Sequence, residues 1–156
     1  MNKYNHIMIK KFFLIFIVLI LSSCDYSPLY SSKNNKFLNI EITNYTGDSR
    51  ANSIIRSRIN NNKNLNVDPI KIQINTEYIK KDLSRNTAGD IETYELILIS
   101  KFLVDFGDQS KTISISKNSK MENFSDKFEE KDYEDRMKEN MSNSIYESLI
   151  LQLINK

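Results

Sequence analysis

Histidine and cysteine each occur once in this 156-residue chain, as His6 and Cys24; tryptophan is absent, and there are three glycines and two prolines. Each shortage excludes a class of chemistry. Three scattered glycines do not make a glycine-rich phosphate loop. A single cysteine forms no disulfide within the chain, and one histidine with one cysteine cannot assemble a His/Cys zinc site, a Ser-His-Asp triad or a Cys-His pair. Carboxylates are plentiful, but they fall in charged runs such as Glu129-Glu130-Lys131-Asp132 rather than alone among apolar residues. No enzyme is expected, and no cofactor or metal. The length has room for one domain.

What is present begins with an export signal. Lys3, Lys10 and Lys11 precede an apolar run from Phe12 to Leu21, which is followed by Ser22-Ser23 and Cys24. The run is about half of the ~20 apolar residues that a spanning helix needs, so cleavage of residues 1–23 is expected rather than a permanent span. Leu21-Ser22-Ser23-Cys24 matches the bacterial lipobox. Cys24 is then the lipid-attachment site, carrying a thioether-linked diacylglycerol and an acyl group on its freed amine. Each buried CH₂ contributes roughly 0.8 kcal/mol and one chain alone binds weakly, so several chains make a durable anchor. Cleavage removes His6 and three lysines, leaving 19 basic and 20 acidic residues. That balance supplies no positive field for nucleic acid.

Residues 24–36 read as a polar, lipidated tether able to reach about 40 Å when extended, and residues 37–156 as a single domain. Alternation of Leu38, Ile40 and Ile42 with polar residues predicts a strand over 37–44. Ala51, Ile54, Ile55 and Ile59 share one stripe of a helix over 49–60. A second strand starts after Pro69 with Ile70, Ile72 and Ile74, and the polar stretch 80–86 is expected to end it as a loop. A long third strand, about 90–106, is apolar on both faces at its middle and therefore central. A short fourth strand, 111–116, reads as an edge. Phe128, Tyr133, Met137, Met141, Ile145, Leu149 and Leu153 predict a long amphipathic helix over 126–156, capped by Ser125-Asp126. The expected fold is α+β, with two helices packed on one face of a four-stranded mixed sheet in the order β-α-β-β-β-α. The parallel connection is between the first two strands.

The opening of the mature chain, Cys24-Asp25-Tyr26-Ser27-Pro28-Leu29-Tyr30, is similar to the Cys-Gly-Phe-x-Pro-Leu-Tyr opening of the alphaproteobacterial form of LptE, the lipopolysaccharide-assembly lipoprotein. Arg85-Asn86-Thr87 followed by Tyr94-Glu95-Leu96 resembles the start of that family's third strand, and the terminal helix resembles its closing helix. The resemblance implies an outer-membrane lipoprotein that plugs the large β-barrel LptD, helps it assemble and assists lipopolysaccharide delivery to the cell surface. It departs at Asp25, where the family carries glycine. Aspartate at this position retains enteric lipoproteins in the inner membrane, so the alternative is an inner-membrane-retained periplasmic lipoprotein serving an envelope transporter. Lipid A presents phosphates above acyl chains, and Lys80, Lys81 and Arg85, beside Ile79 and Leu83, are the cations expected to contact it from the tip between strands two and three. Arg85 is the best suited, because its planar fork can hold a phosphate bidentately.

Overall fold

The computed structural model describes residues 38–155, so the expected signal peptide, Cys24, the tether and Phe37 lie outside the described residues. Within them the order is β1 (Asn39–Gly47), α1 (Ser49–Asn61), β2 (Pro69–Arg85), β3 (Ile91–Asp105), β4 (Ser110–Glu122) and α2 (Lys127–Ile154). The four strands form one sheet in the order β1-β2-β3-β4. β1 and β2 are parallel, joined through α1, and the other two pairings are antiparallel. This is the α+β arrangement expected from the hydrophobic pattern.

Period-two alternation explains why both helices share one face. Ile40 on β1, Ile72 and Ile74 on β2, Leu96, Leu98, Phe102 and Val104 on β3, and Ile113 and Ile115 on β4 are all buried. Against them pack Ala51, Ile55 and Ile59 of α1 and Met141, Ile145, Leu149 and Leu153 of α2. Both helix N-termini are capped by aspartates. Asp48 accepts from the Ala51 amide at 2.8 Å, and Asp126 accepts from the Phe128 amide at 2.7 Å. Such caps contribute about 1 kcal/mol each.

The junction of β1 and α1 is tied to β2. Gly47 has φ +93°, and a Cβ there would lie 1.7 Å from the Thr76 carbonyl oxygen, so only glycine fits. That oxygen accepts from the Asp48 amide at 3.0 Å, and the Thr76 hydroxyl donates to the Asp48 carbonyl at 3.2 Å.

Three strands and one helix position differ most from the sequence reading. β1 starts two residues later than expected and runs on to Gly47. β2 does not stop at 80. It continues through Lys80 and Lys81 to Arg85, because β3 runs alongside it throughout and supplies main-chain partners to alternate residues such as Ile79 and Lys81 whatever the side-chain polarity. The turn that follows is short, with the Asn86 side chain accepting from the Ala88 and Asp90 amides. β4 extends to Glu122 and buries Met121 as well as the two isoleucines. Phe128 is not on the buried stripe of α2; it is 82% exposed.

Candidate functional site

The sheet face away from the helices is open, and its residues form rows across the strands. Ile79 of β2 pairs with Ile97 of β3, and Ile99 is the next β3 residue on that face. All three are only partly buried. One row further along, Lys81, Glu95 and Lys120 are directly paired across β2, β3 and β4. The Lys81 ammonium lies 2.8 Å from Glu95, whose carboxyl that hydrogen bond holds below the ordinary glutamate range. In the other direction Lys101 is exposed beside Leu103, which is 42% exposed. The open face is thus an aliphatic patch bordered by lysines.

Lys80, Lys81 and Arg85 do not form one cluster. Successive strand residues point to opposite faces, so Lys80 points to the helix side while Lys81 sits on the open face. The Lys80 ammonium contacts Glu130 at 2.7 Å and Glu134 at 2.9 Å, both on α2, and lies 4.3 Å from the Tyr94 ring centre. Burial works to lower its pKa, but the hydrogen bonds to the two glutamates outweigh that and hold it above the ordinary lysine value. Arg85, at the end of β2, pairs with Asp82 and donates to the Gly89 carbonyl at 2.8 Å. Lys81 and Arg85 remain exposed; Lys80 belongs to the packing of α2.

That packing is an ionic ladder absent from the sequence reading. Glu130 also binds Lys127 at 2.6 Å, the Tyr78 hydroxyl donates to Glu134 at 2.8 Å, and Lys138 lies 3.8 Å above the Tyr78 ring while reaching Asp48 at 3.1 Å. Burial first, and the bond to Glu134 second, push the Tyr78 hydroxyl well above the ordinary tyrosine range. Apart from Lys127–Glu130, three residues apart on α2, these partners lie 50 to 90 residues apart in sequence and carry no local signal, which is why those pairs were not legible. At the same end of the sheet, Thr93, Lys120, Met121, Glu122, Phe124 and Tyr133 line a half-open groove of about 440 Å³. The rings of Phe124 and Tyr133 sit 5.3 Å apart on its wall.

Glu130, 7% exposed, is the acid on which the ladder turns. Its pKa is lowered by the hydrogen bonds to Lys127 and then Lys80. A carboxyl whose folded pKa is depressed adds stability above its unfolded value, about 4.3, and that stability is lost as pH falls through the folded value. Glu130→Gln is therefore expected to cost about 1–2 kcal/mol at pH 7, Lys80 keeping Glu134, and to lose less than the parent between pH 5 and pH 3. Urea unfolding at the three pH values measures both differences; identical acid sensitivity in the two proteins would exclude the role given to Glu130.

Among the described residues no helix is long and apolar enough to cross a membrane. No protein-family model and no curated protein sequence matches the chain. Solved structures do. The rare lipoprotein B of Shewanella oneidensis superposes with a TM-score of 0.54 at 17% identity, over 74% of this chain and 98% of that one. A lipoprotein B from Nitrosomonas europaea gives 0.50 at 17% identity, over 74% of this chain and 83% of that one. At such identity the likeness concerns the fold, and the fold of this chain is that of lipoprotein B.

Proposed function

We propose that this chain is an LptE-like lipoprotein, anchored by lipid on Cys24 at the periplasmic side of the outer membrane, that sits within an LptD-type β-barrel and assists lipopolysaccharide delivery. The observation that carries the reading is the shared fold with rare lipoprotein B, to which the LptE family corresponds. The lipobox and the Cys24 to Tyr30 opening, similar to the alphaproteobacterial form, support it from independent residues. The part of the chain in direct contact with lipopolysaccharide is the open face, where Ile79, Ile97 and Ile99 lie beside Lys81, with Arg85 beyond them; acyl chains and phosphates require that juxtaposition of apolar and cationic groups. Lys80 is omitted from this contact because two glutamates already hold it. The protein catalyses no reaction in this reading. Asp25 supports a second reading, retention in the inner membrane as an accessory of an envelope transporter.

The experiment is fractionation with affinity capture. The parent should begin at Cys24, carry lipid mass, and bring down a large outer-membrane barrel; Cys24→Ala should lack the lipid and leave the membrane fraction or persist as uncleaved precursor. Recovery in the inner membrane with transporter components selects the second reading, and a mature N-terminus elsewhere removes both. Replacing Lys81 and Arg85 together by serine should weaken lipopolysaccharide binding several-fold while the barrel complex is still recovered. Unchanged binding would take those two residues out of the contact.

A further inference from the structure

β2 is longer than the strand beside it. β1 pairs with β2 only as far as Thr76, where Gly47 turns the chain into α1, yet β2 continues for nine more residues to Arg85. In that last stretch the side of β2 away from β3 has no neighbouring strand among the described residues.

The direction of the main-chain groups follows from the pairing. The Thr76 carbonyl accepts from Asp48, and the Ile72 carbonyl accepts from the Thr43 hydroxyl, so even-numbered residues of β2 face the β1 side. Strand alternation then aims the N–H and C=O of Tyr78, Lys80 and Asp82 outward along the same side. No hydrogen bond among the described residues reaches these groups there. A row of unpaired donors and acceptors at strand spacing is the template for strand addition.

The flanking side chains specify what fits. On the helix side, Tyr78 and Lys80 are already bound to Glu130 and Glu134. On the open face, Glu77 is exposed without an ion-pair partner among the described residues, Ile79 is partly buried, and Lys81 shares Glu95 with the neighbouring Lys120. An antiparallel strand laid here places one residue opposite each. Its complement is an acid facing Lys81, an aliphatic residue facing Ile79 and a base facing Glu77.

A second copy of the chain does not fit this slot in the register that would match its charges. Antiparallel pairing of two β2 strands about Ile79 would match Glu77 with Lys81, but each strand continues past Asp82 and would run into the Gly47-Asp48 corner that occupies the sheet plane at Thr76. Only a segment that ends or turns within about six residues is accommodated.

We propose that the Glu77–Asp82 edge of β2 is a docking site for a short extended segment of a partner polypeptide, of the pattern acid-x-aliphatic-x-base, added antiparallel to the sheet. The site does not depend on lipopolysaccharide binding, and its failure would leave the reading of the preceding section intact.

The test uses the full chain in detergent and the six-residue peptide Thr-Glu-Thr-Val-Thr-Lys, amidated at its C-terminus. In the free protein, amide exchange followed by NMR should be fast at Tyr78, Lys80 and Asp82 and slow at Glu77, Ile79 and Lys81. The peptide should slow the first three. The charge-swapped peptide Thr-Lys-Thr-Val-Thr-Glu should bind roughly tenfold more weakly, and N-methylation of the two threonines flanking valine, which face Tyr78 and Lys80, should abolish the protection. Protection of the three amides in the free monomer would mean that the chain covers its own edge. Protection that appears only with dimerisation would mean that a second copy does. Either result overturns the proposal, as do equal binding of the N-methylated peptide or unchanged exchange at millimolar peptide.

Discussion

Leu149→Asp is expected to leave the chain without a cooperative thermal transition. Leu149 is fully buried on α2, in the core that also holds residues of the sheet and α1, in line with Ile145 and Leu153. Removing a buried leucine side chain costs about 2–5 kcal/mol, and placing an unpaired carboxylate in the same apolar site costs several more. The sum reaches the total stability of an ordinary domain, about 5–15 kcal/mol. Met141→Asp, one helical segment earlier and 5% exposed, should behave alike. Glu147→Ala lies on the exposed side of the same helix and should stay within about 0.5 kcal/mol of the parent. Circular dichroism on heating distinguishes them, and a loss of the transition in all three would contradict the assigned face.

Gly47→Ala should be the most damaging single-methyl change in the domain. An L-residue at left-handed φ costs about 1–2 kcal/mol before any contact is considered. Here the new methyl would also meet the Thr76 carbonyl oxygen at 1.7 Å, so one of the two strands must move, and the bonds between Thr76 and Asp48 move with it. A total loss of about 3–5 kcal/mol is expected, at the upper end of what point substitutions do. Gly89→Ala and Gly107→Ala serve as controls. Both positions have positive φ, at +90° and +92°, but nothing lies within 4 Å of the added methyl, so about 1 kcal/mol is expected at each. Denaturant unfolding that shows Gly47→Ala no worse than the other two would mean that the corner relaxes freely.

The apolar alternations at Ile40/Ile42, Ile70/Ile72/Ile74 and Ile113/Ile115 were sufficient to place the strands, and the doubly apolar middle of β3 placed it inside the sheet. Phe128 shows where spacing misleads. Residues four apart on a helix return to within about 40° of one another, as Tyr133, Met137, Met141, Ile145, Leu149 and Leu153 do, whereas a step of five, from Phe128 to Tyr133, turns through about 140° beyond a full revolution. The upper half of β2 was misread for a different reason. Its lysines look like a loop when taken alone, and only the paired strand and the acids of α2 make an extended conformation favourable. Of the candidate site, the apolar part was visible in the alternation, while the division of Lys80 from Lys81 required the sheet to be seen. Cys24 rests on sequence alone.

The ladder and the core hold the two halves of α2 by forces that obey different solvents. From Lys127 to Lys138 the tertiary contacts include ion pairs at 2.7–3.1 Å, well inside a Debye length of about 8–10 Å, so salt weakens them little while protonation of their carboxylates removes them. From Met141 to Leu153 the helix is held by apolar burial, which salting-out ions strengthen and cooling weakens. One rod is therefore fastened at its front by a bond that acid loosens and at its rear by one that frost loosens, so the medium decides which end of the same helix lifts first.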